Sequence, residues 1–514
     1  MKLKYLSLTL ILSLFLMSCN DDFLERIPQD QLSDESFWKI EDDAVKYTTS
    51  IYRYFPEPAN FIIMTDGYTD NAIPVHVFAD QGNISSGTAT ASTGHFKQLW
   101  QQLYRGIRRC NIFLDNIDGV EMNKDKKQVL IGEVEFLRAY FHATLLKYYG
   151  GVPILTHALE LNEPIPARNT EEEVYNFVMD ECNKASEKLP LTRSKNTEVG
   201  RVNKGAAIAL KAHLSYFMKK YDNAVSASKE VMELGVYDLF DDYAGLFAPE
   251  HENNSEVILD IQFMDEAKDY VVGSNIDLYF SPGMMGGWEG LSPSQDLVDE
   301  YECVDGKPIE ESELYNPEKP FENRDPRLAH SILWHGAELG GQIYSTEGVL
   351  GNGNATRTGY SLRKYIDASN KGNAFPGRLN FILFRYAEIL TIYADAQNEL
   401  NGPDASVYEA INRIRERVNM PPLLAGLSKD QMREAIRHEK RVEFAFEGLH
   451  MFDTRSWRTT EQCVKKPVYG MTSSGEEVLV DTRDFDPNKN YLWAIPLTEI
   501  DLSKGSLKQN PGYN

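Results

Sequence analysis

The chain is 514 residues long and carries 77 acidic against 53 basic side chains, a formal charge of −24. So acidic a surface argues against nucleic acid or anionic lipid as an electrostatic partner. One residue in four is charged and 42% are hydrophobic, which is the composition of a globular protein and not of a disordered one.

The first residues read as an export signal. Lys2 and Lys4 form a positive start, and Tyr5 to Met17 is an apolar run too short to span a bilayer comfortably. It ends in Leu16-Met17-Ser18-Cys19, a small residue before a cysteine, which is the pattern of a bacterial lipoprotein cleavage site. Residues 1–18 are therefore expected to be removed, with Cys19 as the acylated N-terminus. Several acyl chains anchor a protein stably, since each buried CH₂ contributes roughly 0.8 kcal/mol. Loss of Lys2 and Lys4 takes the formal charge from −24 to −26. Residues 19–30 read as a lipidated tether, and 31–514 as a single domain.

Helical patterns follow in two regions, about 96–235 and 379–447. Phe96 to Ile117 and Val129 to Tyr149 are the first two. In Glu171 to Leu189 the residues Val174, Phe177, Val178, Cys182 and Ala185 share one face, and Thr170 with Glu173 forms a capping box at its start. Lys204 to Lys219 and Asp222 to Leu234 come next, the latter ended by Gly235. Leu379 to Leu400 resumes the pattern until Asn401-Gly402-Pro403 breaks it, and Ser406 to Val418 and Ser428 to Glu447 follow. Helices in pairs joined by short polar turns predict a mainly α fold, a tetratricopeptide-like helical repeat scaffold without a strict period. Between the two regions Glu256 to Phe263 reads as a strand. The stretch from about 256 to 378 is rich in Gly, Asn, Ser and aromatics, and predicts loops and short strands packed on the helices.

Cys110, Cys182, Cys303 and Cys463 are far apart with no C-x-x-C pair, so buried free thiols are expected, although an exported chain permits a disulfide. No GxSxG, HExxH or Walker A sequence is present, and His438 has Val442 where a helical zinc site wants a second histidine. No cofactor or metal is indicated.

In order, the chain contains Ser18-Cys19-Asn-Asp-Asp-Phe23-Leu24, Trp100-x-x-x-Tyr104-x-x-Ile107-x-x-x-Asn111, Glu135-Phe-Leu-Arg138-Ala-Tyr140 and Tyr148-Tyr-Gly-Gly-Val-Pro153. Later come Arg324-Asp-Pro-Arg-Leu328, Phe384-Arg385-Tyr386-Ala387-Glu388, Glu439-Lys-Arg441-x-Glu443-Phe444 and Glu447-Gly448-x-x-x-Phe452-Asp453. This order resembles the RagB/SusD-type lipoproteins of Bacteroidetes over nearly the whole chain. The resemblance implies a non-catalytic lipoprotein at the cell surface. Its place is above a SusC-like TonB-dependent outer-membrane transporter, into which it closes a captured oligosaccharide or, in some members, peptides. It also implies that Asp21 and Asp22 form the acidic signal that sends such lipoproteins outward. A peptide-binding member, a glycoside hydrolase and a purely structural repeat protein are the alternatives.

A glycan presents apolar C–H faces and a hydroxyl rim, so its site needs aromatic faces beside carboxylates, amides or guanidinium groups. Trp38, Trp100, Trp457 and Trp493 sit in framework motifs and are expected to pack. Trp288 lies in Gly283-Met-Met-Gly-Gly-Trp-Glu-Gly290, where glycines permit an exposed ring, and it either faces solvent or folds back. Trp334 is expected in the core. Asp66, Tyr68, Asp70, Asn71, His76 and Phe78 form a polar and aromatic cluster that either bonds a ligand or bonds its own backbone. Arg357 and Tyr360, after Gly351-Asn-Gly-Asn, complete the expected ligand set.

Overall fold

The computed structural model describes residues 37–76, 80–194, 198–264, 273–348, 350, 355–370 and 376–513. The expected leader, Cys19, its tether and Phe78 lie outside the described residues. Among the described residues, ten helices of eight or more residues carry the fold. They are α1 (Glu41–Ile51), α2 (Gly94–Asn116), α3 (Lys124–Tyr149), α4 (Glu171–Lys188), α5 (Lys204–Phe217), α6 (Tyr221–Glu233), α7 (Tyr386–Asn401), α8 (Ala405–Arg417), α9 (Lys429–Glu443) and α10 (His450–Trp457). Among the described residues no helix is long and apolar enough to cross a membrane.

Five of these helices begin at a residue whose side chain accepts from their free N–H groups. Thr170 and Glu173 form the reciprocal capping box at α4, and Ser428 and Gln431 repeat it at α9. Asn123, Asn203 and Asp404 cap α3, α5 and α8. Neighbours in sequence pack on one another from α2 through α6, and α6 then packs on α7, across more than 150 residues of chain. That contact joins the two helical regions into one scaffold with a continuous apolar core.

The strands are short and pair in twos: β1 (Ala72–Pro74), β2 (Val257–Ile261), β3 (Leu291–Pro293), β4 (Phe381–Arg385), β5 (Val468–Met471) and β6 (Glu477–Asp481), besides several of two residues. β1 pairs antiparallel with β3, β2 with β4, and β5 with β6. The helix expected from Leu379 therefore begins only at Tyr386, because Phe381 to Arg385 is strand β4. A short run of large apolar residues fits either element, and the backbone partner on β2 decides it.

Arginines and carboxylates weld the irregular region to the helices. Arg385, at the end of β4, donates to Glu447 (2.7 Å), Glu256 (2.7 Å) and Glu443 (2.6 Å). Arg327 donates to Glu439 (2.5 Å) and Glu443 (2.9 Å), and Arg417 reaches Glu256 and Glu443. All of these side chains are buried. Burial alone would raise the Glu443 carboxyl, but Arg417, Arg385 and Arg327 hold it well below the usual carboxylate range. Cys110, Cys182 and Cys303 are buried free thiols and Cys463 is a partly buried one.

Candidate functional site

Three separated stretches meet at one edge of the irregular region. β1 and β3 align Pro74 with Leu291 and Ala72 with Pro293, which lays the 66–76 segment against the strand that follows Trp288. The Val75 N–H donates to Gly290 O (3.0 Å), extending the pair by one residue. Arg357 then crosses both strands: its N–H donates to Ser292 Oγ (3.0 Å) and its Nη1 to Pro74 O (3.2 Å).

Trp288 stands out from this edge, 43% exposed. Its loop is clipped to a short helix, Ile276–Phe280, by the Trp288 N–H on Leu278 O (2.8 Å), the Glu289 N–H on Ser281 O (3.1 Å) and the Gly290 N–H on Tyr279 O (2.7 Å). Gly287 makes this approach possible, since a Cβ there would lie 2.3 Å from Ser281 O. The clip brings the half-buried Tyr279 ring to 5.1 Å from Trp288, tilted by 52°. Glu289 has a left-handed backbone (φ +50°), which is strained for a residue with a side chain. Its buried carboxylate accepts from the Tyr344 hydroxyl and from Thr356 N–H (3.2 Å), and these contacts hold the strained turn. The result is a pre-set pair of aromatic rings at a polar rim.

Most of the other residues expected at the ligand support this edge and do not face solvent. Asp66 and Asn71 are fully buried; Asn71 Nδ2 donates to Asp66 Oδ1 (2.7 Å), and its Oδ1 accepts from Arg441 Nε (2.9 Å). Asp70 meets His450 Nε2 (2.8 Å) and Arg441 Nη2 (3.3 Å). Desolvation would raise the Asp70 carboxyl, yet Arg441 and His450 hold it far below its ordinary value. Tyr68 is packed in the apolar core, and Tyr360 is buried with its hydroxyl on Gln295 (2.6 Å). These five were expected at the ligand; the structure instead buries them, at 5% exposure or less, in the framework under this edge. Arg357 is half-buried and paired with Asp481 (2.9 Å), and His76 is half-buried next to the Gly290 strand. Trp334 packs flat on Phe321, with ring centroids 4.3 Å apart.

Tyr279 and Glu289 were not expected here. Tyr279 sits in Ile276-Asp-Leu-Tyr-Phe280, an apolar run that reads as core. Asp277, on the same short helix, is buried behind the rings; burial and then the neighbouring Asp367 push its carboxyl up to about 7, against N–H donors from Asp367 and Asn370.

Comparison with known proteins places this geometry in a family. The model of the SusD family matches residues 255–513, and a model described as starch-binding associating with outer membrane matches residues 22–215. The chain belongs to the SusD family. It is 25% identical to SusD-like protein P25 of Formosa agariphila over the whole of both chains. A SusD-like protein from Bacteroides fragilis has the same fold, with a TM-score of 0.84 at 29% identity over 95% of this chain and 100% of that one. A SusD-like carbohydrate binding protein from the same organism gives a TM-score of 0.85 at 27% identity, over 91% of this chain and 99% of that one. Surface glycan-binding protein A from Bacteroides thetaiotaomicron, solved in complex with laminarihexaose, shares the fold at a TM-score of 0.72 and 19% identity, over 92% of this chain and 99% of that one.

Proposed function

We propose that this protein captures an oligosaccharide or polysaccharide at the outer surface of the cell, without cleaving it, and passes it to a SusC-like TonB-dependent transporter. The observation that carries the reading is the exposed Trp288 ring beside Tyr279, held by the strained and buried Glu289. Tilted, pre-set rings stack on the apolar faces of a bent sugar chain at little ordering cost. Arg357, half-buried and paired with Asp481, is the charged group at this edge, and a second contact on the transporter raises avidity. The SusD-like relatives described as carbohydrate-binding support the choice of ligand. Acylated Cys19 anchors the chain in the outer membrane.

A panel of plant, fungal and host polysaccharides in native affinity gels tests this, with a peptide digest followed by calorimetry. Retardation by one glycan class without new reducing ends is the expected result. Heat evolved on peptides alone would move the protein to peptide capture. Released sugars would make it a hydrolase.

A further inference from the structure

A second feature lies among other elements, where the C-termini of α5 and α10 meet the 487–492 and 510–511 segments. They enclose an open cleft of about 390 Å³. Four basic residues line it: Lys219, Arg455, Arg458 and Lys489. None of them forms an ion pair within 4 Å among the described residues. In a chain of formal charge −24, such a grouping of unneutralised cations is unusual.

Arg455 is the telling member. It is 8% exposed; its Nε and Nη1 are sealed from solvent without a hydrogen-bond partner, and Nη2, with one long contact to Asn490 O (3.5 Å), is the nitrogen left for a ligand. Burial pushes the guanidinium down to about 10, and tyrosines, led by Tyr148, are the groups that most offset this. A guanidinium remains charged in a protein at neutral pH. A buried charge without a counter-charge costs several kcal/mol, so a fold tolerates one where a ligand completes it. The nearest acid on its own helix, Asp453, is already committed to Lys440 (2.9 Å).

Lys219 and Arg458 follow helix ends in left-handed conformations (φ +55° and +65°), where the helix dipole favours a cation. That accounts for their sign but not for the unpaired, buried Arg455. Arg458 lies flat over Tyr491 (4.3 Å to the ring centroid), which sets its fork in place. Glu171 is the one carboxylate on the cleft wall. It sits at the N-terminal turn of α4, where the dipole favours it.

We propose that this cleft binds an oxyanion carried on a molecule of sugar size, a carboxylate or a sulfate ester, with Arg455 Nη2 as its inner contact and Lys219 and Arg458 around the mouth; the Lys489 ammonium is turned to Gly87 O (3.4 Å). The volume far exceeds a lone inorganic anion and falls in the range of small-molecule sites. The site is separate from the Trp288 rings, so its existence does not depend on neutral-glycan capture there.

The test uses the mature protein at constant ionic strength, titrated with glucuronate, glucose 6-sulfate, inorganic sulfate and glucose. Calorimetry and thermal unfolding are the readouts. The wild type should bind glucuronate or glucose 6-sulfate saturably and gain Tm, with no response to glucose. A Lys219→Ala/Arg458→Ala variant, altered only at partly exposed positions, should keep its unliganded Tm and weaken the acid at least tenfold. Arg455→Gln should abolish binding; should it fail to fold, the double variant still decides. Silence toward every anion would overturn the proposal, leaving Arg455 as a structural arginine. Equal binding by the double variant would overturn it too, as would a response to inorganic sulfate alone.

Discussion

At the scale of single residues, what separates a ligand contact from a framework residue is the partner it has already found. Asp70 and Asn71 look like hydroxyl-bonding groups in a linear chain, but their partners are His450 and Arg441, some 370 residues away. Nothing local distinguishes a carboxylate that will meet a distant arginine from one that will meet water, so this part of the site was not legible. For Trp288 the local glycines left two readings open, an exposed ring or one folded back, and the ring is exposed. Asp277 gives a residue-scale prediction. Its folded pKa is raised to about 7, so the native state pays for an ionised carboxylate above that pH. Asp277→Asn removes the charge and should raise Tm by a few degrees at pH 8. The gain should shrink as pH falls below 7 and vanish near the ordinary aspartate value of about 4. A pH-independent difference between the two proteins would contradict this assignment.

At the scale of elements, helices such as α4 were readable because they repeat an apolar face and carry their own cap, here Thr170 with Glu173. The short strands were not, because β4 takes its identity from β2 and β1 from β3. The Trp288 loop depends on one such close approach. Gly287→Ala would push against Ser281 O, so it should cost about 1–3 kcal/mol. It should also weaken glycan retention nearly as much as loss of the ring, while leaving the helical circular dichroism unchanged. The welded carboxylates predict a larger effect. Glu443→Gln leaves Arg327, Arg385 and Arg417 without their shared acceptor charge and should destabilise the fold by about 3–5 kcal/mol in urea unfolding. A loss under 1 kcal/mol would mean that the remaining glutamates suffice.

At the scale of the whole molecule, the SusD fold was legible from the order of its motifs, and the structure shows that several of them meet in one place. Arg385, Arg327, Glu439, Glu443 and Glu447 are the ionic core that fixes the irregular region to the helices. The helices are thus a rigid frame and the loops a variable face, an arrangement suited to changing ligand without changing fold. The reading as an anchored surface protein is tested through Cys19→Ala, which should release the chain from the membrane fraction. Persistence there after a salt wash that also strips a transporter partner would contradict it. The central claim is that Trp288 and Tyr279 form the capture surface. Its most direct measurement is the calorimetric affinity of wild type and Trp288→Ala/Tyr279→Ala for the glycan that wild type retains. We expect at least a tenfold loss, about 1.4 kcal/mol, with unchanged Tm; equal affinity in the two proteins would contradict the account.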